Sequence, residues 1–252
     1  MKPTTEIRIN QMYFKTLPCA SKDGDIWKMI NNKTWDSETF EFFKNFVRPD
    51  KNVIDLGGWI GTTTLQAYAY NPKQVYSIEA DPANFQTLKH NIAMNYAGDK
   101  IKAFNACLTD KKNSGKIIPF GTANEEKPNS SSHRIDNGSR VMVKTINSLP
   151  FLKKNCDLKN TNAINIDIEG SEKYLIETLK YLSGQNIAIL LSLHPKWWNQ
   201  DKPVVTNNLL ESFKKYDIIC PFSYEVIKLD LLKQRMLSDE FFPIILKQTK
   251  GR

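Results

Sequence analysis

The chain has 252 residues, of which 40% are hydrophobic and 25% are charged, so it is long enough and apolar enough to bury a core. This composition excludes wholesale disorder and favours one large α/β domain. The formal net charge of +8 permits an anionic partner such as nucleic acid, an anionic glycan or a membrane surface, and it equally suits a lysine-rich surface that maintains solubility. The start has no apolar core of a signal peptide and no apolar run is long enough to span a bilayer, so we expect a cytoplasmic protein without a transmembrane segment.

The chain is expected to contain an N-terminal cover segment over residues 1–50 and one globular unit over residues 51–252. In the cover segment, Asp36 is expected to cap a helix that ends near Pro49. The cysteines are scattered singly, without the paired spacing of a disulfide framework or a zinc site, which predicts free and mostly structural thiols. They are Cys19, Cys107, Cys156 and Cys220.

Apolar, β-branched runs alternate with helical patterns, which predicts parallel strands joined by helices. The predicted parallel strands are Asn52 to Leu56, Gln74 to Ile78, Ile101 to Leu108, Ala163 to Ile168 and Ile187 to Leu193. Helices are expected at Leu65 to Ala69, directly after Asp81-Pro82, and near Leu209 to Phe213. A further helix is expected to begin at Ser171, a candidate cap, and to end at Leu182. Closing strands, at least two of them antiparallel, are predicted at Ile218 to Phe222, Tyr224 to Leu229 and Phe242 to Leu246. A polar stretch from Thr122 to Gly138 is predicted to be a long loop.

The segment NVIDLGGWIG, from Asn52 to Gly61, ends a predicted strand in an acid and then turns through three glycines. A dinucleotide fingerprint would require a glycine at position 56, which is a leucine. The pattern present is D-x-G-x-x-x-G through Asp55, Gly57 and Gly61, with Gly58 inside it. An acid at this turn suits a cationic ligand that has no pyrophosphate, so the pattern indicates S-adenosylmethionine. The alternative is a glycine turn that serves packing alone.

Two further positions are predicted to border the same cofactor. Glu79 follows the second strand, where a carboxylate can accept hydrogen bonds from the two hydroxyls of a ribose. Cys107 lies near the end of the third strand and would border the adenine. The alternatives are a solvated strand end for Glu79 and an ordinary core position for Cys107.

The segment INIDIEGSE places Asp167 and Glu169 near the end of a predicted strand, where alternation puts both on the same side. His194 follows the neighbouring strand, and a neutral histidine is a natural acceptor of a hydroxyl proton. We predict that these three residues are catalytic, and together they could also hold a magnesium or manganese ion. The alternatives are helix capping or solvation for the carboxylates and a buried core position for the histidine.

Two tryptophans, Trp197 and Trp198, come shortly after His194 in the chain. Aromatic rings suit the apolar face of a sugar or a flat acceptor, so this pair is predicted to form a wall of the substrate site. Taken singly, each tryptophan is better explained by packing.

The segments VIDLGGWIGTTTL, SIEADPANFQTLKHNIAMN and INIDIEGSEKYLI resemble the FkbM-type S-adenosylmethionine-dependent methyltransferases, over roughly Trp35 to His194. The resemblance implies an α/β, Rossmann-like class I methyltransferase fold with a mostly parallel seven-stranded sheet and helices on both faces. By position it implies cofactor contacts at Asp55, Gly57, Gly61 and Glu79, and chemistry at Asp167, Glu169 and His194. The chain departs from the family at Trp59, where a small residue is usual, and at Ser192, where an acid is common.

The resulting prediction is an S-adenosylmethionine-dependent O-methyltransferase that acts on a hydroxyl of a sugar, a surface glycan or a natural product. A nucleic-acid methyltransferase agrees with the net charge, but the Asp/Asn-Pro-Pro-aromatic segment of adenine-amino enzymes is replaced by Asp167-Ile-Glu-Gly, so a nucleic-acid partner is not expected. A non-catalytic module that keeps the cofactor fold agrees with Ser192. A peripheral membrane contact is compatible with the charge, and the oligomeric state is not predicted.

Overall fold

The structure is a computed structural model that describes residues 4–21, 24–120 and 141–249. The predicted loop from Thr122 to Gly138 lies outside these described residues. The cysteines are free thiols, as predicted. No helix in the described ranges is long and apolar enough to cross a membrane.

A seven-stranded sheet forms the centre of the molecule. Its strands are β5 (Asn52–Leu56), β6 (Gln74–Glu79), β7 (Ile101–Asn105), β11 (Thr161–Ile166), β12 (Ala188–Leu193), β13 (Tyr216–Ile219) and β14 (Phe242–Gln248). Their order in space is β7-β6-β5-β11-β12-β14-β13, and β14 alone runs antiparallel to the other six strands, so the prediction of at least two antiparallel strands is wrong. The predicted fold class, with a mostly parallel sheet of seven strands, is confirmed.

The remaining strands form small sheets outside the central one. They are β1 (Thr5–Ile9), β2 (Met12–Thr16), β3 (Ala20–Ser21), β4 (Gly24–Asp25), β8 (Cys107–Thr109), β9 (Ile117–Phe120) and β10 (Val141–Asn147). The first two form an antiparallel hairpin, β3 pairs with β4, and β10 lies between β8 and β9.

Helices cover both faces of the central sheet. They are α1 (Ile26–Asn31), α2 (Ser37–Phe46), α3 (Thr62–Tyr68), α4 (Pro82–Met94), α5 (Ser148–Asn155), α6 (Ile176–Leu182), α7 (Lys202–Ser212) and α8 (Leu229–Leu237), with 3-10 turns at Leu158–Asn160, Ser171–Tyr174 and Pro195–Asp201. The start of α4 is capped as predicted, because the Asp81 carboxylate accepts the N–H groups of Ala83 and Asn84 and Pro82 occupies the first turn.

The core has two layers because successive residues of a strand point to opposite faces. On β5, Val53 packs into the cluster that α2, α3 and α4 complete, whereas Ile54 packs into the cluster of α5, α6, α7 and α8. The N-terminal residues join the first of these clusters, where Phe14 and Trp27 are almost completely buried. Burying such side chains contributes about 1.5–3 kcal/mol each. The N-terminal segment therefore covers one face of the sheet, and the division at residue 50 stays a prediction.

Several predicted elements differ from the structure. The run Ile101 to Leu108 is two strands in different sheets, β7 and β8, and not one. The run Tyr224 to Leu229 is not a strand, since Val226 makes only an isolated bridge to Ile219 and α8 begins at Leu229. The helix expected from Ser171 is a 3-10 turn followed by α6, and Gly170 precedes the turn in a left-handed conformation.

Candidate active site

A cavity of about 360 Å³ lies at the carboxyl ends of β5, β6, β11 and β12. This is where the strand order reverses direction, because β6 and β7 extend the sheet on one side of β5 while β11 and β12 extend it on the other. Open α/β sheets bind their ligands at such a switch point. The cavity is the candidate active site.

Gly57 lines the cavity and has no room for a side chain. Its φ is +94°, and a Cβ built on it would lie 1.8 Å from the carbonyl oxygen of Asp167. Glycine adopts this conformation without steric cost, and the missing side chain lets the ends of β5 and β11 approach each other. The turn after β5 therefore depends on a glycine at this position.

The other two glycines of the motif do not line the cavity. A Cβ on Gly58 would lie 2.2 Å from Oγ of Ser77, and Gly61 has a φ of +102° and packs near Leu88. Close packing of the turn against β6 and α4 explains the positions of both glycines, and the cofactor contacts predicted for Gly58 and Gly61 stay predictions.

Asp55 is fully buried behind the turn and does not line the cavity. Its carboxylate accepts hydrogen bonds from Oγ1 of Thr63 at 2.8 Å, Oγ1 of Thr64 at 2.6 Å and Nδ2 of Asn165 at 2.9 Å. Burial raises the pKa of this carboxyl, and the three hydrogen bonds oppose the shift. Asp55 therefore joins β5 to α3 and β11, and the predicted direct cofactor contact does not fit this position.

Glu79 and Cys107 both line the cavity, as their predicted roles require. The Glu79 carboxylate accepts the backbone N–H groups of Trp59 at 2.9 Å and Asp81 at 2.7 Å. Burial raises the pKa of Glu79 to about 7 even though these hydrogen bonds favour the ionised form. Burial also raises the pKa of the Cys107 thiol, to about 12, so this residue presents an uncharged surface. The contacts predicted for both residues with a nucleoside stay predictions.

The three predicted catalytic residues come together at the cavity. Nε2 of His194 lies 3.6 Å from Oδ1 of Asp167 and 3.5 Å from Oε2 of Glu169. Alternation along a strand is not the reason, because β11 ends at Ile166 and Glu169 has a left-handed φ of 50°. The turn that follows the strand brings the two carboxylates to the same histidine.

Glu172 supports the histidine from the other side and was not predicted as a site residue. Its side chain has no exposed surface, and it accepts hydrogen bonds from Nδ1 of His194 at 3.0 Å, Nε1 of Trp198 at 3.2 Å and the backbone N–H of Gly170 at 2.9 Å. The hydrogen bond at Nδ1 directs Nε2 toward the cavity. In the sequence, Glu172 is visible only as the second acid of the segment E-G-S-E, and the sequence alone does not show that this acid is buried.

The charges around His194 change its expected role. Burial alone would lower the pKa of His194, but the hydrogen bond and charge of Glu172 and the charges of Asp167 and Glu169 outweigh burial and raise it to about 10. Burial and the charge of Asp167 raise the pKa of Glu169 to about 7. The raised pKa favours the protonated form of His194 near neutral pH, which does not suit a neutral histidine base, and the catalytic role of His194 stays a prediction. A carboxylate is the better proton acceptor near neutrality.

The two tryptophans after the histidine have different environments. Trp197 lines the cavity, and its side chain donates a hydrogen bond to Glu169. Trp198 has no exposed surface and does not line the cavity, since its indole N–H is directed to Glu172. The prediction of a substrate wall is therefore wrong for Trp198, which belongs to the core, and stays a prediction for Trp197.

Several residues that line the cavity were not predicted as site residues, and three of them matter for its chemistry. Trp35 and Asp36 enter from the N-terminal segment, and Phe241 lies with its ring centroid 4.9 Å from that of His194. No sequence motif surrounds Phe241 or Trp35, so the sequence gives little indication that they lie at the cavity. Asp36 was read as a helix cap, but its side chain makes no capping hydrogen bond.

The same site offers the side chains that a divalent cation would need. Asp167, Glu169 and His194 each present one ligand atom, and these atoms lie within 4.8 Å of one another. Two carboxylates and an imidazole suit magnesium or manganese. Ser192, where an acid was expected, is buried on β12 and is not part of this group.

A family of known proteins matches most of the chain. The family model of the Methyltransferase FkbM domain matches residues 48–216, which is more than half of the chain. The chain belongs to the FkbM methyltransferase family. This match confirms the resemblance to the FkbM-type methyltransferases.

Individual relatives of this FkbM-family chain are distant. A tRNA(Phe) (4-demethylwyosine(37)-C(7)) aminocarboxypropyltransferase of Pyrococcus horikoshii is 36% identical over 58 residues, which cover 23% of this chain and 21% of that protein. Thus the chain spans about a fifth of the length of that relative.

Two solved structures are similar to the chain at low identity. The FkbM methyltransferase of Methylobacillus flagellatus KT is 16% identical, with a TM-score of 0.48 and coverage of 86% of this chain and 52% of that one. TYW2 of P. horikoshii in complex with MeSAdo is 15% identical, with a TM-score of 0.47 and coverage of 98% and 70%.

Proposed function

We propose that the protein is an S-adenosylmethionine-dependent O-methyltransferase that acts on a hydroxyl of a sugar, a surface glycan or a natural product. The observation that carries the proposal is the cluster of Asp167, Glu169 and His194 at the switch point of a sheet with the FkbM-family arrangement. Methyl transfer to a hydroxyl requires a group that takes up the hydroxyl proton, and this cluster supplies it.

The residues that line the cavity support a cationic nucleoside as the donor. Apolar residues beside Cys107, namely Leu56, Ile78, Ala106 and Leu108, suit the flat adenine, and the Glu79 carboxylate suits ribose hydroxyls. Among the described residues, no lysine or arginine forms an ion pair with Asp36, Asp167 or Glu169. An excess of negative charge at the cavity favours a ligand with positive charge.

The protein's own residues would carry out positioning and proton transfer. S-adenosylmethionine supplies a methyl group on a cationic sulfur. Glu169, whose pKa is raised to about 7, would accept the hydroxyl proton of the acceptor, with Asp167 as its neighbour in the same charge network. His194, held by Glu172, would limit the repulsion between the two carboxylates. The walls of the cavity would exclude water and align the reactants, which contributes about 7–11 kcal/mol in favourable cases.

The remaining cavity surface supports a hydroxyl-rich acceptor. Trp35, Trp197 and Phe241 present aromatic rings, and such rings pack against the apolar face of a sugar. Carboxylates near these rings accept hydrogen bonds from hydroxyl groups. Trp197 and Phe241 lie beside Glu169 and His194, respectively, so a sugar at these rings would be next to the proposed proton acceptor.

The test combines binding with turnover. Titration calorimetry with S-adenosylmethionine should show binding to the wild-type chain, and labelled-methyl transfer should be measured on a panel of sugars and glycans. Glu169→Gln should lower kcat at least about 100-fold while leaving donor affinity within a few-fold, because general base catalysis is worth about 10²–10⁴. Asp99→Asn removes an exposed carboxylate and should leave both measurements unchanged. Absence of donor binding, or full turnover in Glu169→Gln, contradicts the proposal.

A second candidate is methylation of RNA, favoured by the net charge of +8 and by the local similarity to a tRNA-modifying enzyme. The acidic cavity does not favour a phosphate backbone, which lysine and arginine usually contact. Binding of a tRNA mixture at about 50 and 200 mM salt distinguishes the candidates, since phosphate contacts lose affinity steeply with salt. Tight, salt-sensitive binding with methyl incorporation into RNA would select this second candidate.

The other hypothesis for the chemistry of this site is a divalent cation bound by Asp167, Glu169 and His194. It would supply a Lewis acid at the end of the cavity where the acceptor hydroxyl is proposed to bind. Methyl transfer should be measured after dialysis against EDTA and again after addition of magnesium or manganese. Activity that disappears and is restored assigns the cation, whereas unchanged activity assigns the carboxylates alone.

A further inference from the structure

We propose that Asp36 is the anionic contact for the α-ammonium group of the donor's amino-acid tail, in place of the motif acid Asp55. This inference rests on the proposed function. It assigns a donor-binding role to a residue of the N-terminal segment, which the sequence indicated only as a helix cap.

The conformation of Asp36 is the first observation. Asp36 occupies the position before α2 with φ 50° and ψ 48°, and its side chain makes no capping hydrogen bond. Asp25 and Asp81 hold the same position before α1 and α4, adopt extended backbone conformations, and accept backbone N–H groups of their helices. Asp36 thus gives up a favourable cap and adopts a left-handed conformation that L residues seldom adopt. Folding of α2 alone does not require either feature.

The surroundings of Asp36 are the second observation. The residue lines the cavity instead of capping its helix. Burial raises the pKa of its carboxyl to about 8, and the nearby charges of Asp167 and Glu38 act in the same direction, whereas a hydrogen bond from the Trp35 side chain opposes the shift. No lysine or arginine in the described ranges forms an ion pair with it. A carboxylate in this environment gains from a cationic partner.

The state of Asp55 is the third observation. All of the hydrogen bonds described for its carboxylate go to Thr63, Thr64 and Asn165, and it does not line the cavity. The ammonium group of the donor therefore has no direct access to the motif acid. Asp36 lines the same cavity near Asp167, whose carbonyl oxygen lies against the Gly57 turn, so it can take over this contact.

The experiment compares two ligands with and without the ammonium group. Titration calorimetry measures S-adenosylhomocysteine, which carries the amino-acid tail, and 5′-methylthioadenosine, which carries neither its ammonium nor its carboxylate. Asp36→Asn keeps the side-chain shape and tolerates a left-handed conformation, so it should fold. It should weaken S-adenosylhomocysteine about 10- to 100-fold and leave 5′-methylthioadenosine unchanged. Its thermal midpoint should be equal to or higher than that of the wild type, because the folded protein no longer buries a carboxyl whose pKa is raised above that of the unfolded chain.

The control is Glu41→Gln, which removes one charge from the solvent side of α2, where Glu41 pairs with Lys44. It should change neither affinity. Unchanged binding of S-adenosylhomocysteine in Asp36→Asn, equal losses for both ligands, or a lower thermal midpoint would each overturn the assignment. Failure of the wild-type chain to bind S-adenosylhomocysteine would instead remove the proposed function, and this assignment with it.

Discussion

Nδ1 of His194 lies 3.0 Å from Oε1 of Glu172, a carboxylate with no exposed surface. The contact joins the end of β12 to the 3-10 turn after β11. It fixes the orientation of the imidazole ring and places Nε2 between the two cavity carboxylates. The charge of the site is therefore set by a residue that does not line the cavity.

Replacing Glu172 by glutamine should lower the pKa of His194 from about 10 by about one unit or more. The change removes the charge of the group that contributes most to raising this pKa, while the amide keeps an oxygen that can accept the Nδ1 proton. Titration of the imidazole signals by NMR measures the shift in metal-free protein, with His194→Gln to assign the resonance. An unchanged pKa in Glu172→Gln would show that Asp167 and Glu169 alone hold the proton on the ring.

Gly57→Ala should lower the free energy of unfolding by at least about 2 kcal/mol. The reason is that the added methyl would lie 1.8 Å from the carbonyl oxygen of Asp167, at a φ of +94°. Gly98→Ala is the matched control, because no heavy atom lies within 4 Å of a Cβ built at that position. Urea unfolding measures both variants. Equal stability of the two variants would contradict the close approach of the strand ends.

Sequence periodicity predicted the central fold because buried parallel strands leave a strong pattern. The run from Asn52 to Leu56 is a strand with every residue buried, and the glycine that follows it begins the turn into α3. Periodicity failed at Val226, where an apolar run is exposed, because a short run does not reveal whether a partner strand is available. Whether such a run becomes a strand depends on tertiary contacts.

A sequence motif does not show which of its residues are buried in the folded protein, and this limited the prediction of the site. Glu79 and Asp55 are both acids at strand ends, yet only Glu79 faces the cavity. The difference arises because Asn165, on the adjacent strand β11, bonds to Asp55, and this pairing is visible only in the folded register. Asp36 comes from a segment distant in sequence, so its place in the cavity follows from tertiary packing alone.

Trp198→Phe should mainly affect stability and Trp197→Phe should mainly affect acceptor binding, although the two residues are adjacent. The first removes the indole N–H that Oε2 of Glu172 accepts in a fully buried site, so the free energy of unfolding should fall by about 1–3 kcal/mol. The second changes a wall of the cavity and removes the hydrogen bond to Glu169, whose side chain is 17% exposed, so the loss of stability should be smaller while KM for the acceptor rises. Thermal unfolding and methyl-transfer kinetics separate the two effects. Stability loss in Trp197→Phe alone would reverse the assignment.

The free energy of unfolding should decrease as pH rises from about 4.5 to about 8. Burial raises the pKa of Glu79 and Glu169 to about 7, and that of Asp36 to about 8, so the folded protein keeps protons that the unfolded chain has already lost. Stabilisation from these protons is complete below the unfolded pKa values and disappears as pH rises through the folded ones. The raised pKa of His194 has the same sign, with its contribution complete below about 6.5 and lost as pH passes about 10.

Glu79→Gln isolates one of these groups, because Glu79 is almost fully buried. Removing its carboxyl should reduce the slope of unfolding free energy against pH by up to about 1.4 kcal/mol per pH unit between pH 5 and 7. Urea unfolding at a series of pH values gives the slope, and Asp99→Asn, at an exposed position, should keep the wild-type slope. A full slope in Glu79→Gln would mean that the buried carboxyl is already ionised throughout this range, held by the N–H groups of Trp59 and Asp81.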